Sequence, residues 1–192
     1  MKKLIWCAIV AAIVAQVWGM VSWMVLPWHM LDFKQFKDDT HVAEVLRAEL
    51  QGSGLYTLPN MDPTIHENEA AMVKWKNKAR KGPFAFLSVK ADGVEPGMGL
   101  PMAIGFFLNL VMAGILFWLV SNSAITCPKG RTIFIAVAGS VGALYTHLSN
   151  WNWWHFPINY CVVGVIDVFV TWTLAGFAMV KLADWLDSKN TE

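Results

Sequence analysis

Charged residues are scarce in this chain, at 15% of its 192 residues, whereas an ordinary soluble domain carries about 25%. The formal net charge is only +1, so the chain lacks the basic field that attracts nucleic acid, and we expect no nucleic-acid partner. Hydrophobic residues make up 56% of the sequence. This balance is typical of a membrane protein and argues against an ordinary soluble domain.

Cysteine is also scarce, and the spacing of the three cysteines excludes two common uses. Cys7 and Cys161 lie within or near apolar segments, and Cys127 stands alone in a short polar loop. The sequence contains no C-x-x-C pair, which is the usual basis of a structural zinc site or a dithiol redox motif. We therefore expect neither kind of site in this protein.

Four apolar segments are long enough to cross a bilayer, because about 20 helical residues span its hydrocarbon core. The first segment also resembles a secretory signal, but its apolar run exceeds the usual core of about 7–15 residues, so we interpret it as a retained helix. We predict transmembrane helices at residues 1–26, about 100–122, 132–149 and 157–181, with residues 99–192 holding the last three and a short cytoplasmic tail.

Orientation follows from the short segments between and beyond these helices. Lysine and arginine occur at residues 2–3, 129–131 and 181–189, all on one side, whereas residues 149–156 carry no charge. Short basic segments stay in the cytoplasm. We therefore expect an integral protein of the bacterial cytoplasmic (inner) membrane, in contact with its lipids, with both termini cytoplasmic.

Residues 27–98 form a long polar insertion after the first helix. Apolar spacing and breaker residues predict a helix at 40–50, a strand at 54–58, a helix from the capping box at 64–67 to about 80, and a strand at 84–90. The predicted fold is thus an all-α polytopic membrane protein: a four-transmembrane-helix bundle with a small α/β extracytoplasmic cap inserted between helices 1 and 2. The core of the cap is too small to be stable alone.

Each predicted span carries one polar residue near its middle, and counting residues from the helix ends puts all four at a similar depth. They are Gln16, Asn109, Ser140 and Asp167. One interpretation is structural, because polar side chains hold membrane helices together through hydrogen bonds. The other is functional, because an acid such as Asp167 within a membrane is by default a candidate proton or ion site.

Complete catalytic sets are missing from the spans. A serine nucleophile at Ser140 would need a histidine at mid-depth in another span, and the sequence offers none there. A two-carboxylate protease would need a second intramembrane aspartate besides Asp167. We therefore expect a protein that is not an enzyme.

Histidine and methionine residues collect at the predicted outer ends of the helices. Imidazole and thioether groups together suit Cu(I), and paired imidazoles suit haem iron. The alternative is that histidine anchors the helices at the interface and methionine fills space between them. We expect no cofactor. The alternative is that the protein binds copper or haem, and the candidate ligands are then His29, Met30, Met98, Met102, His147 and His155.

Three tryptophans, Trp151, Trp153 and Trp154, lie in an uncharged aromatic turn that suits a membrane interface or a partner surface. With the cap, they suggest a non-catalytic accessory or scaffolding subunit of a membrane complex, with other subunits or further copies of itself as partners. One alternative is a small proton-coupled transporter or conduit using the polar layer around Asp167. Another is a copper- or haem-handling protein of the outer membrane face.

Overall fold

The computed structural model describes residues 2–60 and 62–189. The described chain divides into two compact units, one containing the four long helices and the other formed by Lys34–Pro96. About 73% of the structure is helical, with six α-helices and one two-stranded sheet, which confirms the mainly helical class.

The four long helices each have the length and apolar character needed to cross a membrane, as predicted. They are α1 (Lys2–Met24), α4 (Gly99–Ser121), α5 (Pro128–Trp154) and α6 (Ile158–Lys189). Helix α1 packs against both α4 and α6, while α5 packs mainly against α6. The side of α1 that faces this core carries alanines, and such small residues let helices approach closely.

Two of these helices are longer than the sequence predicts. Helix α5 begins at Pro128, a first-turn position where proline is tolerated, and the Cys127 sulfur accepts the Gly130 N–H at its start. Helix α6 continues to Lys189, so most of the predicted tail is helical. Its extension is fixed by Leu182 and Leu186, which pack against the core, and by charged side chains that pair with α1 and α5.

Tight packing between α5 and α6 depends on Gly139. A Cβ atom at this position would lie 2.5 Å from the indole of Trp172, so only glycine fits. The spacing of Gly139 and Ala143, and of Ala138 and Gly142, indicates close helix approach on both rows. In the structure the helices approach closely at Gly139 but not at Gly142, because a Cβ at Gly142 would meet nothing within 4 Å.

The second unit contains α2 (Asp39–Glu49), β1 (Gly54–Leu58), α3 (Glu69–Lys81) and β2 (Ala85–Val89). The two strands are antiparallel, with Gly54 opposite Val89. The predicted start of α3 is wrong: Thr64 caps no helix, and its hydroxyl instead donates to Asp62 Oδ1 at 2.7 Å. Asn68, whose side chain accepts the N–H of Ala71, is the true N-cap, and a short 3-10 turn precedes it.

Candidate functional site

Asp167 of α6 is buried, with 8% of its surface exposed, and each of its carboxylate oxygens has a partner. The indole N–H of Trp18, on α1, donates to Oδ1 at 2.7 Å. His29 Nε2 lies 3.3 Å from Oδ2. The acid therefore joins α6 both to α1 and to the turn that follows it, and it points into the bundle of helices.

His29 reaches this position because the chain folds back after α1. Pro27 opens a short 3-10 turn, Pro27–Met30, which brings the imidazole into the bundle with only 4% of its surface exposed. The ring stacks on the indole of Trp23, with 3.8 Å between centroids and 5° between planes. Trp28 fastens the same turn by donating its indole N–H to Ser22 Oγ at 3.0 Å and to the Ser22 carbonyl at 3.2 Å.

Ser22, His29 and Asp167 include the three residue types of a hydrolytic triad, but their geometry differs from one. Ser22 Oγ lies 2.9 Å from His29 Nε2, the same nitrogen that faces Asp167. In a triad the hydroxyl and the carboxylate contact opposite ring nitrogens, so that the base can take the serine proton while the acid orients the ring. Here both groups face the same nitrogen, so the arrangement lacks this division of roles.

The contacts of Trp18, Ser22 and His29 around Asp167 were not predicted from the sequence. A signal was present, since Trp18 and Ser22 continue the helical row of Ala8, Ala11 and Ala15 at spacings of three and four residues. That row forms the buried face of α1, apart from Trp18, which is half-buried. Polar groups on the buried face of a helix are the expected partners of an intramembrane acid.

Gln16 and Asn109 form a separate pair, with Asn109 Nδ2 donating to Gln16 Oε1 at 3.1 Å. Both border a groove of about 680 Å³ between α1, α4 and α6. Gly19 of α1 and Gly105 of α4 also line it. Its remaining wall is largely aromatic and thioether in character, with Met20, Trp23, Met24, Met98, Met102 and Trp172.

Ser140 is buried, and its hydroxyl donates to the Ala136 carbonyl of its own helix at 2.6 Å. The four residues of the predicted polar layer thus belong to three sets of hydrogen bonds. Asp167 bonds to Trp18 and Asn109 bonds to Gln16, and these two residues of α1 are two positions apart. Their Cα atoms therefore differ in height along the helix by about 3 Å. The functional role of these residues stays a prediction.

The candidate metal ligands occupy different settings. His29 belongs to the Asp167 cluster, Met98 and Met102 line the groove, and Met30 is 58% exposed. His147 packs over Gly164 of α6, and its buried Nδ1 has no hydrogen-bond partner in the described part of the chain.

His155 ends α5 in a left-handed conformation with φ of 57°. Within residues 2–60 and 62–189, no group of three or more His, Cys, Asp or Glu side chains could hold a metal ion. Methionine thioethers are not among these residue types, so copper or haem binding stays a prediction.

The three tryptophans Trp151, Trp153 and Trp154 lie in the last turn of α5 and not in a loop. Trp151 is 47% exposed and Trp153 is 71% exposed, whereas Trp154 is half-buried. This end of the helix therefore exposes two large aromatic side chains. No family model, curated protein or solved structure matches this chain significantly.

Proposed function

We propose that this chain is a non-catalytic integral membrane protein that acts as an accessory or scaffolding subunit of a membrane complex. In this proposal the groove between α1, α4 and α6 receives one transmembrane helix of another subunit. The observation that carries it is the open floor of the groove at Gly19, where a Cβ atom would meet nothing within 4 Å. Membrane helices associate at such small-residue surfaces, because there the two backbones approach closely.

The other groove residues support the same role. Methionine is unbranched and flexible, so the walls formed by Met20, Met24, Met98 and Met102 can adapt to an incoming helix. The pair formed by Gln16 and Asn109 uses one donor and one acceptor, and each amide has further hydrogen-bonding capacity. A partner helix with a polar side chain at this depth would therefore gain both packing and a hydrogen bond.

Gly19→Leu tests the proposal, because a Cβ at this position meets nothing within 4 Å and the added side chain would fill part of the groove. Gly142→Leu is the matched control: a Cβ there also meets nothing within 4 Å, and Gly142 lies on α5 and does not line the groove. Both changes gain similar helix propensity, so that effect cancels in the comparison. We expect the first variant to lose its copurifying subunit in mild detergent and the second to keep it, as measured by quantitative mass spectrometry.

Two results would count against this function. One is purification of the unaltered protein as a stable monomer without a partner. The other is full retention of the partner by Gly19→Leu while that variant remains folded by circular dichroism. Copurification of further copies of this chain alone would assign the groove to self-association.

A second candidate function is proton-coupled transport or conduction, favoured by the buried contact between His29 and Asp167. An imidazole and a carboxylate 3.3 Å apart can exchange a proton across a short distance. Asp167→Asn would preserve an oxygen acceptor for Trp18 and remove the titrating acid. We expect proteoliposomes with this variant to lose proton flux, read by an internal pH dye. Thr173→Val, on the exposed side of the same helix, should retain the flux. Normal flux in Asp167→Asn would end this candidate.

A further inference from the structure

A second cavity lies at the end of the four-helix unit where α1 begins and α6 ends. Its volume is about 420 Å³. Two basic and two acidic side chains line it, namely Lys3, Arg131, Asp184 and Asp187. Core residues of α4 and α6, including Phe117 and Met179, form part of the same wall. The cavity thus combines charged groups with an apolar surface.

The four charged side chains form two ion pairs that are partly open to solvent. Lys3 Nζ lies 2.7 Å and 2.6 Å from the two carboxylate oxygens of Asp187. Arg131 donates through Nη2 to Asp184. The side chains of the acids are 59% and 38% exposed for Asp187 and Asp184. A ligand that enters the cavity can therefore reach both carboxylates.

Arg131 retains donor capacity beyond this pair. Its Nε is buried and has no hydrogen-bond partner among the described residues. A guanidinium has five N–H donors and binds phosphate well through two of them at once. The side chain is 19% exposed, so a small shift of the guanidinium toward the cavity would present Nε to a bound oxygen. The basic half of the cavity is therefore suited to a phosphate.

We propose that this cavity binds the headgroup of a zwitterionic phospholipid with a primary ammonium, of the phosphatidylethanolamine class. The phosphate would accept hydrogen bonds from Arg131 and Lys3, and the ammonium would donate to Asp184 and Asp187. The four protein charges sum to zero, so the cavity has no net attraction for an anionic lipid. The wall at Phe117 gives the start of an acyl chain an apolar contact, which a soluble headgroup lacks.

Native mass spectrometry of the full-length protein, titrated with lipids of identical acyl chains, tests this proposal. The probes are phosphatidylethanolamine, phosphatidylcholine and phosphatidylglycerol. The choline lipid has no ammonium N–H, and the glycerol lipid has no cation. We expect the ethanolamine lipid to bind about tenfold more tightly than the choline lipid or the glycerol lipid. This factor corresponds to the one charge-assisted contact that each of the other two lipids lacks.

Variants of the lining residues test whether the preference for the ethanolamine lipid arises in this cavity. The double variant Arg131→Gln with Asp184→Asn replaces an ion pair by two neutral amides, the asparagine matching aspartate in size and the glutamine being shorter than arginine. We expect the tenfold preference to disappear. Lys129→Gln is the control, since Lys129 lies at the same end of α5 and does not line the cavity. If the double variant fails to fold, Ser121→Trp, which fills the cavity from its lining, takes its place.

The outcomes separate clearly. Equal affinity for the three lipids, a preference for phosphatidylglycerol, or a preference that survives in the folded cavity variants would overturn the proposal. O-phosphoethanolamine is added as a soluble headgroup without chains. Binding of this compound as tightly as the lipid would overturn the assignment to a lipid, whereas binding that needs the acyl chains supports it.

Discussion

Replacing Trp18 by phenylalanine removes the indole N–H that donates to Asp167 and leaves most of the ring in place. The bond is 2.7 Å long and the acid is 8% exposed, so water cannot easily replace the lost donor. A hydrogen bond to a charged group contributes about 1.5–3 kcal/mol, whereas contacts between membrane helices average about 0.6 kcal/mol. We expect Trp18→Phe to lower the free energy of unfolding by about 1.5 kcal/mol. This is the lower end of the range for a bond to a charged group, chosen because the average for membrane helices is smaller still.

The assay is reversible unfolding in mixed micelles of denaturing and mild detergent, followed by circular dichroism. Trp118→Phe is the control for the smaller ring, because Trp118 is 58% exposed on α4. Repeating Trp18→Phe in an Asp167→Asn background completes a double-mutant cycle, and the penalty there should fall by about half because a neutral amide is a weaker acceptor. Equal penalties at Trp18 and Trp118, or no change between the two backgrounds, would refute the reasoning.

Two further predictions concern the helix interface and the smaller unit. Gly139→Ala should lower the free energy of unfolding by about 1–3 kcal/mol relative to Gly142→Ala, because only the first Cβ meets a neighbouring ring; equal unfolding curves would contradict this. In the smaller unit, the Thr64 hydroxyl and backbone N–H hold the pKa of Asp62 below its usual value, so Thr64→Val should raise that pKa in a carboxyl NMR titration. The lowered pKa stabilises the folded state at pH values above the usual pKa of aspartate, and this stabilisation is lost as the pH falls through the folded-state pKa. An unchanged pKa of Asp62 in Thr64→Val would refute the assignment.

The four long helices could be predicted from sequence because length and hydropathy determine them directly. Their ends could not, since hydropathy fades after Ser149 and beyond Lys181, while the helices continue to Trp154 and to Lys189. Helix α6 continues because its last turns gain ion pairs and leucine packing, which a hydropathy window does not register. Similarly, Thr64 has the right spacing for a capping box, but Asn68 competes successfully as the cap.

The partners of Asp167 were harder to predict than Asp167 itself. A lone acid in an apolar run is visible in one dimension, and its depth follows from a residue count. Counting treats each helix as straight and isolated, so it cannot show that the turn at Pro27–Met30 folds inward and brings His29 to the carboxylate. It also cannot show which side of α1 faces α6, and the orientation of α1 determines that Trp18 is the residue that contacts Asp167.

The length of α6 has a consequence for any bilayer that the helix crosses. From Ile158 to Val180, before Lys181, the helix is about 35 Å long, whereas a typical hydrocarbon core is about 30 Å thick. A tilt of about 30°, above the average of about 20° for membrane helices, would remove this hydrophobic mismatch. Membranes with short acyl chains would increase this hydrophobic mismatch, and the added strain would act on the helix that holds Asp167 against α1.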